Sequence, residues 1–372
     1  MTRGSQRRLL AAPDKFRGTA TAAELAATIG RAARSAGWDC DEAPVADGGE
    51  GILDALGGDR RQTTVRGPLG DPVDAEWRVT AGGGAVVEMA RASGLDLVGG
   101  AEANDPLRAS TYGTGELIAA AIAAGAERVV VGMGGSATID GGLGAVSALR
   151  VGRLVFRGGL GHPGGGHAGG RAHSGVHGPA PVGLPVEVVV ACDVTTLFID
   201  AAERFGPQKG ATPAQVSLLR RRLERLAQVY RRDFGVDVRL LPGSGAAGGL
   251  AGGLAAVGAT LVGGFDLVAA ELDLDRRLAD ADLVVTGEGH LDAETFSGKA
   301  VGGVAAMATD AGVPVLVVAG DIDAAAVPDD WSGAGIEVVS LVDRFGEDRA
   351  MAETVACVET VVAEHLARQD EV

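Results

Sequence analysis

The chain has 372 residues, a formal charge of −16 and 60 glycines, with aromatic residues at 3%. That length supports two domains, each with its own core; the charge disfavours nucleic acid and anionic membrane surfaces as partners. Scarce aromatics argue against stacking on bases and leave the core to Val, Leu, Ile and Ala. The scattered cysteines Cys40, Cys192 and Cys357 form no CxxC and fit a reduced, cytoplasmic protein. The apolar stretch at 9–13 is too short for a signal peptide, and the longest uncharged run, 240–265, holds too many glycines for a membrane helix.

Residues 8–13 read as a first strand ending at Asp14. Residues 21–36 read as a helix: Thr21 is its cap, Glu24 stands at the capping-box spacing, and Leu25 and Ile29 lie four apart. A short strand at 43–46 leads into the loop Asp47-Gly48-Gly49-Glu50-Gly51, and a helix starts within 50–56. This alternation predicts an α/β fold. Short strands at 63–66, 75–80 and 85–89, separated by Pro- and Gly-rich turns, predict an antiparallel region and a domain change near Gly67. Next come a helix at 113–124, a strand at 128–132 and a second glycine loop at 134–142. A strand at 184–192 ends at Asp193, and 213–234 is a basic amphipathic helix with Val216, Leu219, Leu223, Leu226 and Val229 on one face. The last third gives a strand at 283–286, a helix at 300–311, a strand at 313–319 and a closing helix at 348–368.

These elements predict two α/β domains. Residues 1–66 and 282–372 form a discontinuous Rossmann/flavodoxin-like domain with a parallel sheet. Residues 67–281 form a second, mixed α/β domain. Residues 158–183, nearly all Gly, Ala, His and Pro, read as a surface insertion. His173 and His177 stand four apart there, but no carboxylate, cysteine or helical pattern makes a metal site of them.

Both glycine loops mix glycine with carboxylates or hydroxyls. Clustered backbone N–H groups suit phosphate oxygens, and carboxylates suit Mg²⁺, so the pair points to phosphoryl transfer. No GxxxxGK[ST] occurs, which argues against a P-loop. A GxGxxG stands at 243–248, after a strand expected at 237–241 and with Asp266 downstream; it is the basis of an alternative, a dinucleotide-dependent oxidoreductase. Asp14, Asp47, Glu50, Asp140, Asp193, Glu288 and Asp292 end strands or sit in glycine turns, as chemical groups or as turn caps. Lys15, Lys209 and Lys299 occupy similar loops and read as phosphate partners or exposed turn residues.

Eight collinear blocks resemble the bacterial glycerate kinase family, the type without a P-loop. They include Ala12-Pro13-Asp14-Lys15-Phe16-Arg17-Gly18, Pro44 through Gly51, Glu88-Met89-Ala90 with Ser93-Gly94-Leu95, and Thr111 through Leu117. Gly134 through Gly142, Cys192-Asp193-Val194, Phe205 through Ala211, and Thr286-Gly287-Glu288-Gly289 with Asp292 and Gly298-Lys299 complete the set. The resemblance implies Mg²⁺-assisted phosphorylation of D-glycerate by ATP, usually to 2-phosphoglycerate, in the cleft between two α/β domains. On that reading Asp47, Asp193 and Lys15 are catalytic, and Asp193 and Glu288 hold the metal. Arg17, His290 and Asp292 hold the substrate; Gly134, Gly135, Ser136, Thr138, Lys209 and Lys299 hold the nucleotide. The chain departs from the family pattern at Lys15 and Arg17 (usually Ser and Lys), Ile139, Thr195-Thr196-Leu197, His290 (often Arg) and Glu294 (often Gln). Those departures support a second alternative, a catalytically impaired binding relative, and the sequence leaves a homodimer open.

Overall fold

The computed structural model describes residues 6–151, 156–157, 182–293, 295, 299–323, 325, 327–328, 331 and 333–370. The insertion expected at 158–183, with its histidines, lies outside the described residues except for Val182 and Gly183; Glu294 also lies outside them. The chain divides into two compact units. The first is Met1–Asp59, Ala191–Asp193 and Val262–Val372; the second is Arg60–Val190 with Val194–Leu261.

The strands, in chain order, are β1 Arg8–Ala11, β2 Asp39–Glu42, β3 Asp59–Arg66, β4 Pro72–Val79, β5 Ala85–Glu88, β6 Arg128–Gly132, β7 Phe156–Arg157, β8 Val182–Gly183, β9 Glu187–Ala191, β10 Thr260–Val262, β11 Leu283–Leu291, β12 Val315–Ile322 and β13 Ile336–Ser340.

The first unit carries a parallel sheet in the order β13-β12-β11-β1-β2. Its central strands read as near-continuous apolar runs: Leu9, Leu10 and Ala11, Leu283 to Val285, and Val315 to Ala319 are all buried. That is the pattern of strands covered on both faces. From β1 the chain moves outward to β2; later it returns beside β1 and moves the other way, from β11 to β12 and β13. The order therefore reverses between β1 and β11, where open α/β sheets bind ligands beyond the strands' carboxyl ends.

Two expectations in this unit need correction. The strand expected at 43–46 is instead β2, just upstream, with the polar sequence Asp-Cys-Asp-Glu. An edge strand tolerates charge and so lacks the apolar signature. Residues 43–46 still follow β1's continuation, since the Ala43 and Val45 N–H groups donate to Ala11 O (2.8 Å) and Pro13 O (2.9 Å). The closing helix is two helices, Glu347–Ala352 and Thr354–Asp370, separated at Glu353 where φ is −125°.

The helix Ala22–Ser35 matches its expected span, with the Thr21–Glu24 capping box formed in both directions. Its Leu25, Ile29 and Ala33 pack with Val358, Val361 and Val362 of the final helix.

The second unit carries a six-stranded sheet in the order β10-β9-β6-β5-β4-β3. The expected antiparallel region appears in the pairing of β4 with β5, whereas β5 and β6 run parallel, so the sheet is mixed. The helix Pro213–Phe234 has the expected ends, capped by Thr212 and closed by Gly235. Leu219, Leu223, Ala227 and Tyr230 are buried along it, and Tyr230 meets the Phe198 ring edge-on at 6.1 Å. Its arginines lie off that face.

The GxGxxG segment is not a dinucleotide fingerprint. No strand precedes it; Val238–Leu240 is a short 3₁₀ turn. The helix Ala246–Ala256 then begins with Ala247, Gly248 and Gly249 in left-handed conformations. A Cβ on Gly248 would stand 1.9 Å from Thr138 O, so the small residues serve close packing against the second glycine loop. Among the described residues no helix is long and apolar enough to cross a membrane.

The Thr21–Glu24 box satisfies donors at the start of a helix central to the first unit's core. Thr21→Ala should cost about 1 kcal/mol, read as a lower urea midpoint at unchanged slope.

Candidate active site

In the first unit, the turn after β1 is tied to β11. Asp14 N–H donates to Gly287 O (2.8 Å), and Thr286 Oγ1 donates to Ala12 O (2.7 Å). Asp14 thus lies at the reversal point and is 8% exposed. Burial, with Asp47 nearby, pushes its carboxyl up to about 6, against the opposing pull of Lys15, its own backbone contact and Lys299. The Lys15 N–H donates to Asp14 Oδ1 (2.6 Å), and Lys15 Nζ donates to Glu50 O (2.7 Å). One lysine therefore joins the β1 turn to the first glycine loop.

That loop is placed by contact between glycines. A Cβ on Gly48, whose φ is +82°, would stand 2.4 Å from Gly264 Cα; one on Gly264 would stand 2.1 Å from Asp47 O and 2.5 Å from Asp193 Oδ1. Gly264 opens the helix Gly264–Glu271, and its N–H donates to Asp193 Oδ1 (2.9 Å). Asp193 therefore accepts from the helix's first N–H groups while standing near Asp47. Burial first, and then the Asp47 charge, push Asp193 up to about 7. Asp47 Oδ1 accepts the Gly49 N–H (3.1 Å).

Glu288 is on β11. Burial pushes it up to about 7, although its Oε1 accepts from Thr295 Oγ1 (2.7 Å); Asp14 and Asp292 add repulsion and Lys299 attraction. Asp292 Oδ1 accepts the Thr295 N–H (3.3 Å), which gives it a capping place in this turn. Lys299 precedes the first residue of the helix Ala300–Ala311. His290 is exposed farther along β11, with Nδ1 3.6 Å from Asp321 Oδ2. Arg17 is 83% exposed, with its guanidinium 3.3 Å from Glu50 Oε2. Lys15, Arg17, Thr19 and Glu50 line a cavity of about 390 Å³ together with Asp14.

In the first unit Asp14 is thus in electrostatic range of Lys15, Asp47 and Lys299, Asp193 of Asp47 and Lys299, and Glu288 of Asp14, Asp292 and Lys299. Among the described residues no three acidic, histidine or cysteine side chains already form a metal cage.

The second unit carries the other expected residues. Gly134 and Gly135 are the open part of their loop, while Ser136 and Thr138 are buried. Ser93 O accepts from Ala137 N–H (2.9 Å), and Gly135 O accepts from Leu95 N–H (2.7 Å), so the segment after β5 braces the loop. Asp140 is a structural hub. It accepts from Thr111 N–H (2.8 Å), Gly142 N–H (3.0 Å) and Gly144 N–H (3.1 Å), which ties together the starts of two helices, Tyr112–Ala123 and Leu143–Val151. Lys209 is 3% exposed, with Nζ 2.6 Å from Ser136 Oγ, so it supports the loop from inside.

Sequence reasoning missed Gly264, which sets the Asp47 and Asp193 loops, and Asn104, whose Nδ2 donates to both Ala137 O and Lys209 O at 2.9 Å. A Gly-Gly pair beginning a helix pointed to the first. Nothing local marks the second.

Residues 9–369 match the model of the glycerate kinase family. The chain is 41% identical to a glycerate kinase of Halalkalibacterium halodurans, with 84% of this chain and 85% of that one covered. It is 39% identical to the glycerate 2-kinase of Escherichia coli K12, with 85% of each covered. A crystal structure of a Salmonella typhimurium LT2 protein described as a glycerate kinase 2 superposes with a TM-score of 0.77 at 34% identity, covering 98% of both chains. With Asp14 and Glu288 at the reversal of a parallel sheet and its sequence matched almost end to end, this chain belongs to the glycerate kinase family.

Proposed function

We propose that this chain transfers the γ-phosphoryl group of ATP to D-glycerate with Mg²⁺, in the cytoplasm, giving 2-phosphoglycerate. The observation that carries the reading is Asp14 and Glu288 at the point where the strand order reverses, with Asp47 near Asp14, Asp193 near Asp47, and Lys15 and Lys299 beside them. The name of the Escherichia coli relative supports the 2-position.

The donor set fits a divalent cation. Asp193 and Glu288 are hard oxygen ligands held partly out of water, and each is pushed up by burial and by a neighbouring carboxylate. A positive ion relieves that repulsion. Mg²⁺ takes one or two carboxylates and completes its shell with water and phosphate, so a closed protein cage is not required. When bound, the ion would neutralise charge on the transferring phosphoryl group.

The chain's own residues supply the rest. Asp47, oriented by the Gly49 N–H, accepts the proton of the attacking hydroxyl. Lys15 and Lys299 offset charge on the phosphoryl oxygens. The acceptor carboxylate is held in the cavity lined by Lys15 and Arg17, where a guanidinium offers two parallel N–H donors. His290, exposed on β11, is a second contact for the acceptor. Asp292 orders the turn that holds Glu288's partner Thr295. The loop at 134–142 offers backbone N–H groups and Ser136 to the nucleotide phosphates.

ADP should form only when ATP, Mg²⁺ and D-glycerate are all present, and phosphorus NMR should show a 2-phosphate ester. Absence of turnover with all three would sink the reading. Asp47→Asn and Asp193→Asn should each lower kcat by at least about a hundredfold, the scale of one general base or charge-stabilising group. Near-normal turnover in both would remove these residues from the mechanism. Arg17→Ala should raise the glycerate KM by about tenfold or more, as expected for loss of a charged hydrogen bond, and leave the ATP KM within twofold. Equal effects on both would place the carboxylate grip elsewhere.

The raised carboxyls also set a pH dependence. Asp14, Asp193 and Glu288, at about 6, 7 and 7, hold protons in the folded state that the unfolded chain releases near pH 4. Their neutral forms therefore favour folding at acid pH, and that stability is lost as pH rises from about 4 through 7. Mg²⁺ should raise Tm more at pH 8 than at pH 5.5, because it binds the charged forms. Asp193→Asn should flatten both trends, as scanning calorimetry would show.

A further inference from the structure

Lys209 lies in the sequence where a phosphate-binding lysine is expected, yet its ammonium is turned inward. It ends the 3₁₀ turn Pro207–Lys209 and is 3% exposed. Its Nζ donates to Ser136 Oγ (2.6 Å) and Thr138 O (2.9 Å). The Phe205 ring lies over the ammonium, with its centroid 5.6 Å away. Asn104 fastens the same assembly from the other side by donating to Lys209 O and Ala137 O. Asp140 is the charged group facing the lysine, and its own carboxylate is occupied by Thr111, Gly142 and Gly144. An ammonium so enclosed does not reach a phosphate. Its shortest bond is instead to the Ser136 hydroxyl.

A protonated lysine has three N–H donors and no lone pair, whereas a serine hydroxyl both donates and accepts. At 2.6 Å, Lys209 occupies an acceptor position on Ser136 Oγ. The Ser136 hydrogen must then point away from the lysine. We infer that Lys209 is a positioning residue that fixes the Ser136 hydroxyl as a hydrogen-bond donor to a phosphate oxygen of the nucleotide. The inference rests on the loop at 134–142 being the phosphate cradle, and it gives the lysine a role other than direct contact.

The arrangement predicts a distinctive pH profile. Burial pushes Lys209 down to about 7, partly offset by Asp140. The neutral amine gains a lone pair and accepts the Ser136 hydrogen, which reverses that bond and withdraws the donor from the phosphate. Nucleotide affinity should therefore fall as pH rises through about 7, with Ser136 as the group that transmits the change.

The test is calorimetric titration of the full-length protein with Mg·ATP between pH 6 and 8.5, alongside steady-state kinetics. Ser136→Ala should weaken Mg·ATP binding about tenfold at pH 6.5, as loss of one charge-assisted hydrogen bond would. It should leave the glycerate KM within twofold and remove the part of the pH dependence that exceeds titration of the nucleotide itself. Lys209→Met should weaken binding similarly; Lys209→Arg, if it folds, should recover part of the affinity and stay flat over this range. If Lys209→Met does not fold, Ser136→Ala still decides. Unchanged Mg·ATP affinity in Ser136→Ala, or the wild-type pH profile persisting in it, overturns the inference. If wild type turns over glycerate while Ser136→Ala binds Mg·ATP normally, the inference fails and the proposed function stands. If wild type binds Mg·ATP but makes no ADP with glycerate, the proposed function fails while the binding test of Ser136 remains valid. If wild type binds no Mg·ATP, both fail.

Discussion

Like charges held close together outside water shape the first unit. Burial raises the proton affinity of Asp14, Asp193 and Glu288, and a like charge adds to it in each case: Asp47 beside Asp14 and beside Asp193, Asp14 and Asp292 beside Glu288. Folding by itself does not favour such a cluster, because each carboxylate gives up hydration for neighbours of its own sign. The backbone meets part of that cost. Lys15 N–H bonds Asp14, Gly49 N–H bonds Asp47, and Gly264 N–H bonds Asp193. On the proposed function, a cation and a phosphoryl group would meet the remaining deficit of positive charge. On that reading, stability is given up here for a site whose charge its ligands would complete.

The cluster depends on close backbone approach. Asp47 and Asp193 come from segments far apart in sequence and meet because Gly48 and Gly264 have no side chains to separate them. The β1 turn reaches β11 through Asp14 N–H and Gly287 O, and a Cβ on Gly287 would stand 2.0 Å from Val318 O of β12. Much of the chain's high glycine content is therefore a packing requirement. The second unit repeats this. Gly248 and Gly249 wind left-handed so that the start of their helix presses against the loop at 134–142. What resembles a nucleotide fingerprint in sequence is a buttress in space.

The two glycine loops also separate two meanings of a strand-end carboxylate. Asp140 is surrounded by backbone and hydroxyl donors that use both of its oxygens. Asp193 accepts from helix N–H groups but keeps another carboxylate nearby. The first arrangement consumes the charge in holding two helices; the second leaves it in need of a partner. Lys15 and Lys209 divide in the same way. Lys15 is partly exposed beside a cavity, whereas Lys209 is enclosed by the loop it supports.

Local chemistry by itself determined a good deal of this protein. Thr21-x-x-Glu24 and Thr212-x-x-Gln215 set helix starts, and the apolar spacing after Thr212 set the length and inner face of a 22-residue helix. The alternation of apolar runs and glycine turns fixed the α/β class, and the collinear motifs identified the family. These features act within a few residues of each other, so a single stretch of sequence contains the whole cause. Tertiary structure decided the rest. It showed β2 as a polar edge strand, split the closing helix at Glu353 and turned the GxGxxG segment into packing. It also turned Lys209 inward and made Asp140 a hub. Each of these depends on which distant group occupies the neighbouring space: Ala11 beside Ala43, Thr138 beside Gly248, Ser136 beside Lys209. Whether a charge is solvated, paired or enclosed is settled by residues tens to hundreds of positions away, and that is not written in any local pattern.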